Sequence, residues 1–274
     1  MLSYQHGYHA GNFADVIKHL TLCRILNYLT QKDKPLFYLE THAGSGLYDL
    51  QAKKAVKTIE FNAGIALIWQ QKDNLPTLFD PYMNVVKSLN INNQLRFYPG
   101  SPYLAIANLR PEDRAVCTEL HPQEFNNLQS IPRLNKRVFF NNIDGLKALR
   151  ALLPPPERRG LIFIDPSYEI KTEYKTIAES VNLAHRRFAT GTYCIWYPIL
   201  ASCQHQQLIE QIKSQNKDVL KIEFYLTQAM DKLGMNSCGL LIINPPFTLA
   251  AEMTTALDYL IKIINPNKSS YLIE

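Results

Sequence analysis

What the chain lacks narrows its class first. The five cysteines, Cys23, Cys117, Cys194, Cys203 and Cys238, form no Cys-x-x-Cys pair. That excludes a zinc ribbon and a thioredoxin-type redox site, and no metal site is expected. Their odd number and apolar contexts such as Ala115-Val116-Cys117 fit reduced thiols in a cytoplasmic protein. No apolar run approaches the ~18 residues that span a bilayer, so no membrane partner is expected. Residues Met1 to His6 lack the basic and apolar segments of a signal peptide. Charged residues are scarce, at 19% of 274 against 46% hydrophobic, which leaves material for a large core and little for disorder. No repeat or low-complexity tract interrupts the chain.

What is present is a series of short apolar runs rich in β-branched and aromatic residues. Seven read as strands of a buried sheet: Leu36–Glu40, Ala115–Glu119, Arg137–Asn141, Gly160–Asp165, Thr192–Tyr197, Lys221–Leu226 and Gly239–Asn244. Helical patterns lie between them, at Phe13–Leu29, Leu146–Leu153, Tyr174–Arg187, Gln204–Ser214 and Thr248–Ile264. Asn12 can cap the first, with Asp15 completing a capping-box-like arrangement. The alternation predicts an α/β fold, a doubly wound, Rossmann-like sheet of seven strands. The connection Thr227–Cys238 has no convincing crossover helix, so the strands it joins should be antiparallel. Residues 47–97 break the alternation with two helical patterns, Thr58–Gln71 and Leu78–Leu89, and no clear buried strand. They are read as a helical insertion within a single domain spanning 1–274.

The first strand leads into Glu40-Thr41-His42-Ala43-Gly44-Ser45-Gly46, where small residues allow a cofactor close to the backbone. An ordinary tight turn would look the same, because the full Gly-x-Gly-x-x-Gly of a nicotinamide enzyme is missing. With 47–97 looped out, the turn is followed by a helix start at Gly100-Ser101-Pro102, with Ser101 as N-cap. The next strand then ends in Glu119. This strand–turn–helix–strand–acid order is that of an adenosine-binding half-sheet, the acid accepting from ribose hydroxyls. Asp144, ahead of Gly145, is either a contact to a cofactor adenine amine or a helix N-cap.

The fourth strand ends in Asp165-Pro166-Ser167-Tyr168. The N6 lone pair of adenine is delocalised into the ring and is a poor nucleophile. A carboxylate and a backbone carbonyl that each accept one N–H localise it for attack on a sulfonium methyl. Asp165 and the Pro166 carbonyl suit this role, Asp165 can take the excess proton, and Tyr168 can stack on an extruded base. Asn244-Pro245-Pro246-Phe247 is a rival tetrapeptide. If its strand runs against the others, it lies at the opposite edge of the sheet.

Several segments keep their order from end to end: Met1-Leu2-Ser3-Tyr4, His9-Ala10-Gly11-Asn12, Lys18-His19, Thr41-His42-Ala43-Gly44, Tyr98-Pro99-Gly100-Ser101-Pro102, Thr118-Glu119-Leu120-His121-Pro122 and Ile243-Asn244-Pro245-Pro246. In these the chain resembles the RlmJ-type 23S ribosomal RNA adenine-N6 methyltransferases over essentially its whole length. The resemblance implies a class I methyltransferase sheet, S-adenosylmethionine as cofactor, and adenine 2030 of the ribosomal RNA as target. It implies cofactor contacts at His19, His42, Gly44, Ser101, Glu119, Asp144 and Gly145, the catalytic acid at Asp165, and substrate contacts at Tyr4 and Lys18. Where the family has Asp-Pro-Pro-Tyr, this chain has Ser167 in the third place, which frees one φ and restores an N–H.

The formal net charge of +5 is compatible with a polyanionic partner. Chemistry on a base edge needs a splayed nucleotide. Arg158 and Arg159, ahead of the catalytic strand, are expected to hold its backbone. His185-Arg186-Arg187 and the lysines 53, 54 and 57 are further candidates, or solvated faces. The partner expected is 23S ribosomal RNA, free of protein or early in assembly, with the enzyme a monomer. Methylation of DNA adenine, or a catalytically silent nucleic-acid-binding protein, are the alternatives.

Overall fold

The computed structural model describes residues 5–133, 136–227 and 235–274. In chain order its strands are β1 (Phe37–Glu40), β2 (Leu47–Asp49), β3 (Phe97–Pro99), β4 (Arg114–Thr118), β5 (Val138–Asn141), β6 (Gly160–Ile164), β7 (Thr192–Pro198), β8 (Val219–Tyr225), β9 (Ser237–Ile243) and β10 (Ser270–Ile273). Its α-helices are α1 (Phe13–Leu29), α2 (Lys53–Thr58), α3 (Ile65–Gln70), α4 (Asp80–Leu89), α5 (Ser101–Asn108), α6 (Pro122–Leu128), α7 (Gly145–Leu152), α8 (Glu173–Arg187), α9 (His205–Lys213) and α10 (Leu249–Ile264).

The main sheet has the order β10-β8-β9-β7-β6-β1-β4-β5. The seven expected strands are all in it, within two residues of their expected ends. β5, β4, β1, β6 and β7 are mutually parallel. β9 runs antiparallel to both β7 and β8, as the short connection required. The sheet has eight strands rather than seven, and β10 is a second reversed strand. Its four residues are only half-buried and carry no buried apolar run to announce them. Backbone bonds in both directions between Lys221 and Glu274, and a 2.9 Å ion pair between their side chains, close it onto the β8 edge. β6, β7 and β9 are buried along their whole length, as strands covered on both faces must be.

Residues 47–97 differ from the expectation in two ways. β2 and β3 pair antiparallel and form a ribbon at the base of this segment, with Tyr48 opposite a fully buried Tyr98. The pattern at 58–71 is not one helix. It breaks at Ile59, which is left-handed, and at Gly64, where an added Cβ would lie 2.2 Å from the Gly11 carbonyl oxygen. That approach of backbone to backbone leaves α2, a 3₁₀ turn at Glu60–Ala63 and α3 in place of one continuous helix.

Helix α1 starts as expected, with Asn12 Oδ1 accepting the Asp15 amide at 2.9 Å. It is no half-exposed surface helix, since Phe13 to Cys23 are all buried. It packs against α4, α5, α10 and β9. Three ionisable residues, Asp15, Lys18 and His19, are thereby taken into the interior, where each needs a partner. Among the described residues no helix is long and apolar enough to cross a membrane.

Candidate active site

A cleft opens at the carboxyl edge of the parallel strands, where β1, β4 and β6 end. Its lining includes Lys18, His19, His42, Gly44, Ser101, Glu119, Asp144, Gly145, Asp165 and Pro166. Residues scattered over nearly 150 positions of sequence thus converge, because neighbouring parallel strands deliver their ends to one edge.

The loop after β1 makes one wall. Gly44 has φ +58°, and a Cβ there would lie 2.6 Å from the Tyr48 hydroxyl. Gly145 admits no side chain either, since its Cβ would meet the Thr41 carbonyl oxygen at 2.0 Å. The two glycines give a cradle that a cofactor can approach at the backbone. Glu119 follows β4. Its carboxylate accepts the Gly44 amide at 2.8 Å and the His121 amide at 2.7 Å, with lone pairs left over on the cleft side. Burial raises its pKa. Asp144 is the N-cap of α7, accepting from the Leu146 and Lys147 amides, and it also lines the cleft. Of the two readings of Asp144, the helix cap is shown directly. His42, beside Thr41 Oγ1 at 2.8 Å, has its pKa pushed down to about 4 by burial and is a neutral imidazole near pH 7.

Ser101 is not the N-cap of α5. Gly100 is, and Ser101 and Pro102 occupy the first helical turn. The Ser101 hydroxyl instead donates to Glu40, a fully buried acid that also accepts from the Tyr38 hydroxyl at 2.9 Å. Burial pushes Glu40 up to about 8, against the opposing effect of these two hydrogen bonds. The strong demand of a buried carboxyl for donors explains why Ser101 turns inward.

Asp165 stands at the end of β6. Lys18 Nζ donates to its Oδ2 at 2.6 Å and reaches Asp15 Oδ1 at 2.8 Å. Burial pulls the Lys18 pKa down, but the two carboxylates outweigh it and raise the pKa above its ordinary value, so the ammonium persists. Burial would likewise raise Asp15, and His6, Lys18 and His19 hold it well below the usual carboxylate range. Asp15 Oδ2 accepts from His6 Nε2 and the Gly11 amide, both at 2.9 Å. His19 Nδ1 lies 2.8 Å from the Tyr98 hydroxyl, and burial lowers its pKa to about 3. Lys18, expected to touch substrate, lines the cleft and is the counter-ion of Asp165. His6 and Asp15 were missed. The available signal was an Asp-x-x-Lys-His set of polar residues inside an otherwise apolar helix.

Tyr168 departs from its expected place. It has φ +52°, a strained value for a bulky residue, and is 8% exposed. Its hydroxyl donates to the Trp196 carbonyl at 2.7 Å and its ring packs on Tyr174 with centroids 4.3 Å apart. The ring is part of the core behind the turn and does not line the cleft, so it is not placed to stack on a base. Arg158 and Arg159 do not line the cleft either. They precede β6, so they lie at the amino edge of the sheet, opposite the cleft, and Arg159 is spent on the carbonyls of Leu29 and Lys34. Tyr4 lies outside the described residues. The rival Asn244 is at that opposite edge as well. Its side-chain amide donates to the carbonyls of Ala189 and Gly191, both at 2.8 Å, as a fastener between β9 and the start of β7.

With this geometry in hand, comparison with known proteins is specific. The family model described as ribosomal RNA large subunit methyltransferase D, RlmJ, matches residues 33–274. The ribosomal RNA large subunit methyltransferase J of Escherichia coli is 44% identical over 261 residues, 95% of this chain and 93% of that protein. Its namesake from Haemophilus influenzae is 42% identical over 268 residues, 97% and 95% of the two chains. The crystal structure of protein LPL1258 from Legionella pneumophila is 50% identical, with a TM-score of 0.93 covering 97% of this chain and 98% of that one. A probable spermidine synthase from Corynebacterium glutamicum, 13% identical with a TM-score of 0.53, shares the fold over 96% of this chain and 82% of its own. The chain belongs to the RlmJ family of large-subunit ribosomal RNA methyltransferases.

Proposed function

We propose that the protein methylates the N6 amine of an adenine in 23S ribosomal RNA, adenine 2030 in the family's substrate, with S-adenosylmethionine as donor. The observation that carries this reading is the position of Asp165, which faces the same cleft as Gly44, Ser101 and Glu119 from the end of β6. The cofactor, when bound, supplies a sulfonium methyl group.

The residues fit that cofactor. Gly44 and Gly145 both line the cleft, and close packing against Tyr48 and Thr41 excludes a side chain at each, so bare backbone faces the cofactor there. Glu119 has acceptor capacity remaining for ribose hydroxyls after its two backbone donors. His42 and His19, both neutral, add polar contacts that do not repel a sulfonium cation.

Asp165 does the work on the substrate. Its Oδ2 is engaged by Lys18, which leaves Oδ1 to accept one N6–H. The Pro166 carbonyl is the acceptor for the other. Together they draw the nitrogen toward tetrahedral geometry, and after transfer Asp165 is the nearest base for the excess proton. Lys18 orients the carboxylate by holding Oδ2 at 2.6 Å. Tyr168 contributes through the turn: its anchored hydroxyl fixes the backbone on which the Pro166 carbonyl sits. The helices between residues 47 and 97 act as an inserted unit beside the cleft, with Lys53, Lys54 and Lys57 toward the RNA.

Transfer of labelled methyl from S-adenosylmethionine to protein-free 23S ribosomal RNA, to ribosomal subunits and to DNA tests the reading, with Asp165→Ala as control. Labelling of the protein-free RNA at an adenine, abolished in the variant, is the expected result. Preferential labelling of DNA, or tight cofactor binding with no labelling of any substrate, would overturn it.

A further inference from the structure

The sequence contains eleven arginines, and eight of them stand at the amino edge of the parallel sheet, away from the cleft. They occupy the first residue of β4, the loops that enter β4, β5 and β6, or the last turns of α7 and α8. Four of the eight are held by acids or by backbone carbonyls, and two more have partners of their own, Arg186 donating to Gln215 Oε1 at 3.0 Å and Arg187 to the Arg150 carbonyl. Arg114 pairs with Glu157 at 2.8 Å, Arg110 with Asp113 at 2.9 Å, Arg159 with two carbonyls, and Arg137 with the Glu112 carbonyl.

The other four, Arg150, Arg158, Arg186 and Arg187, are exposed and have no ion pair with an acid among the described residues. They are neighbours. Arg187 donates to the Arg150 carbonyl, and the Thr190 hydroxyl donates to the Arg158 carbonyl. Arg158 itself is held at φ +52°, a conformation that a non-glycine residue keeps only where its surroundings fix it. Among the acids of this edge Glu157 is paired with Arg114 and Asp113 with Arg110, while the Asp218 carbonyl accepts the Asn244 amide beside the turn that carries Phe247. Helix dipoles favour a cation in the last turn of α7 and of α8. They do not call for Arg158, which is on no helix.

An aromatic ring completes the surface. The turn that follows β9 is pinned to the end of α8 by the Asn244 amide, and Phe247 in that turn is 92% exposed. Guanidinium groups bind phosphate oxygens in a fork, and an exposed ring gives an unpaired base a stacking platform.

We infer that this edge is a second RNA-contacting surface, which grips the phosphodiester backbone of the ribosomal RNA away from the target nucleotide. The inference rests on the proposed RNA substrate for the identity of the polyanion. Five residues of β6 separate Arg159 from Asp165, about 17 Å at ~3.3 Å per residue. The nucleotide in the cleft therefore cannot present its own phosphate here. The surface takes a flanking part of the same RNA, and only a substrate long enough to pass around the sheet reaches both places.

The test is the triple variant Arg150→Gln/Arg186→Gln/Arg187→Gln, with Phe247→Ala as a separate protein. KM and kcat for methyl transfer are measured on a short stem-loop bearing the target and on a full-length 23S transcript, at several salt concentrations. On the long RNA the triple variant should show KM raised about tenfold and a salt dependence weaker by two to three charges, roughly, with kcat unchanged. On the short RNA wild type and variant should coincide. Phe247→Ala should raise KM on the long RNA alone. Equal KM values on both RNAs, or an equal loss on both, would overturn the inference. So would unchanged RNA binding together with a change in self-association by sedimentation, which would assign the edge to protein contact. If wild type methylates no RNA, the functional reading fails, and equilibrium binding of the two RNAs by wild type and variant still decides the surface.

Discussion

The ammonium of Lys18 is shared between Asp165, at 2.6 Å, and Asp15, at 2.8 Å, with the lysine side chain 4% exposed. One buried cation therefore serves a carboxylate that faces the cleft and another that anchors the N-terminal segment through His6 and Gly11.

Removing that cation should damage both. In Lys18→Met two neighbouring carboxylates lose their counter-ion, and a broken buried pair costs about 3–5 kcal/mol. We expect a clear loss of thermal stability and a fall in single-turnover methyl transfer of about 100-fold or more, the size typical of a lost acid–base contribution. Differential scanning calorimetry and rapid-quench assays measure the two effects.

The two look-alike tetrapeptides should respond in opposite ways. Asp165→Ala should abolish transfer while cofactor affinity is kept. Asn244→Ala loses two hydrogen bonds to carbonyls, about 1–3 kcal/mol of stability, and should leave the transfer step alone. Isothermal titration with S-adenosylhomocysteine, beside single-turnover rates, separates the outcomes; a large rate loss in Asn244→Ala would reverse the assignment.

Tyr168→Phe separates a stacking ring from an anchored one. It keeps the ring and removes only the hydroxyl bond to Trp196. Losing that bond should cost about 1 kcal/mol of stability and lower kcat several-fold, with KM for RNA unchanged. A variant indistinguishable from wild type in stability and kcat would show that the hydroxyl does not hold the turn.

Stability should fall on both sides of neutrality, for different reasons. His19 and His42 have folded-state pKa values near 3 and 4, below an ordinary 6.5. Below about pH 6.5 the unfolded chain binds protons that the folded one refuses, so stability drops as pH falls toward 4. Glu40 is the reverse case, with its pKa raised from 4.5 to about 8. Between these values the folded chain holds a proton the unfolded one has released, so stability drops as pH rises. Melting temperatures from pH 4 to 9 should trace a maximum between the two, and Glu40→Gln should flatten the alkaline side while leaving the acidic side.

Much of the fold was legible because burial on two faces writes itself as apolar runs. All seven such runs are strands, and the length of the 227–238 connection gave the direction of β9. β10 was illegible because a short, half-buried edge strand has no such run. The break at Gly64 depends on the backbone of Gly11, fifty-three residues away in sequence, which no local pattern encodes. At the site, convergence of strand ends placed the acids and glycines correctly. Side-chain direction was the failing link. Nothing in Ser101 reveals that a buried Glu40 will claim its hydroxyl, and nothing in Tyr168 reveals a left-handed φ that turns the ring inward. Arg158 and Arg159 adjoin the strand in sequence but not the cleft: preceding β6 means standing a strand's length from where it ends.

The contact of Gly64 with Gly11 has a mechanical consequence. Ile65 donates its amide to the Gly11 carbonyl at 2.8 Å, and Gly11 in turn donates to Asp15. Helix α3, which follows the helix that carries Lys53, Lys54 and Lys57, is thus tied through the Gly11 backbone to the carboxylate of Asp15, which shares an ammonium with Asp165. A displacement of the inserted helices is therefore passed through three hydrogen-bonded contacts to the side chain that faces the cleft.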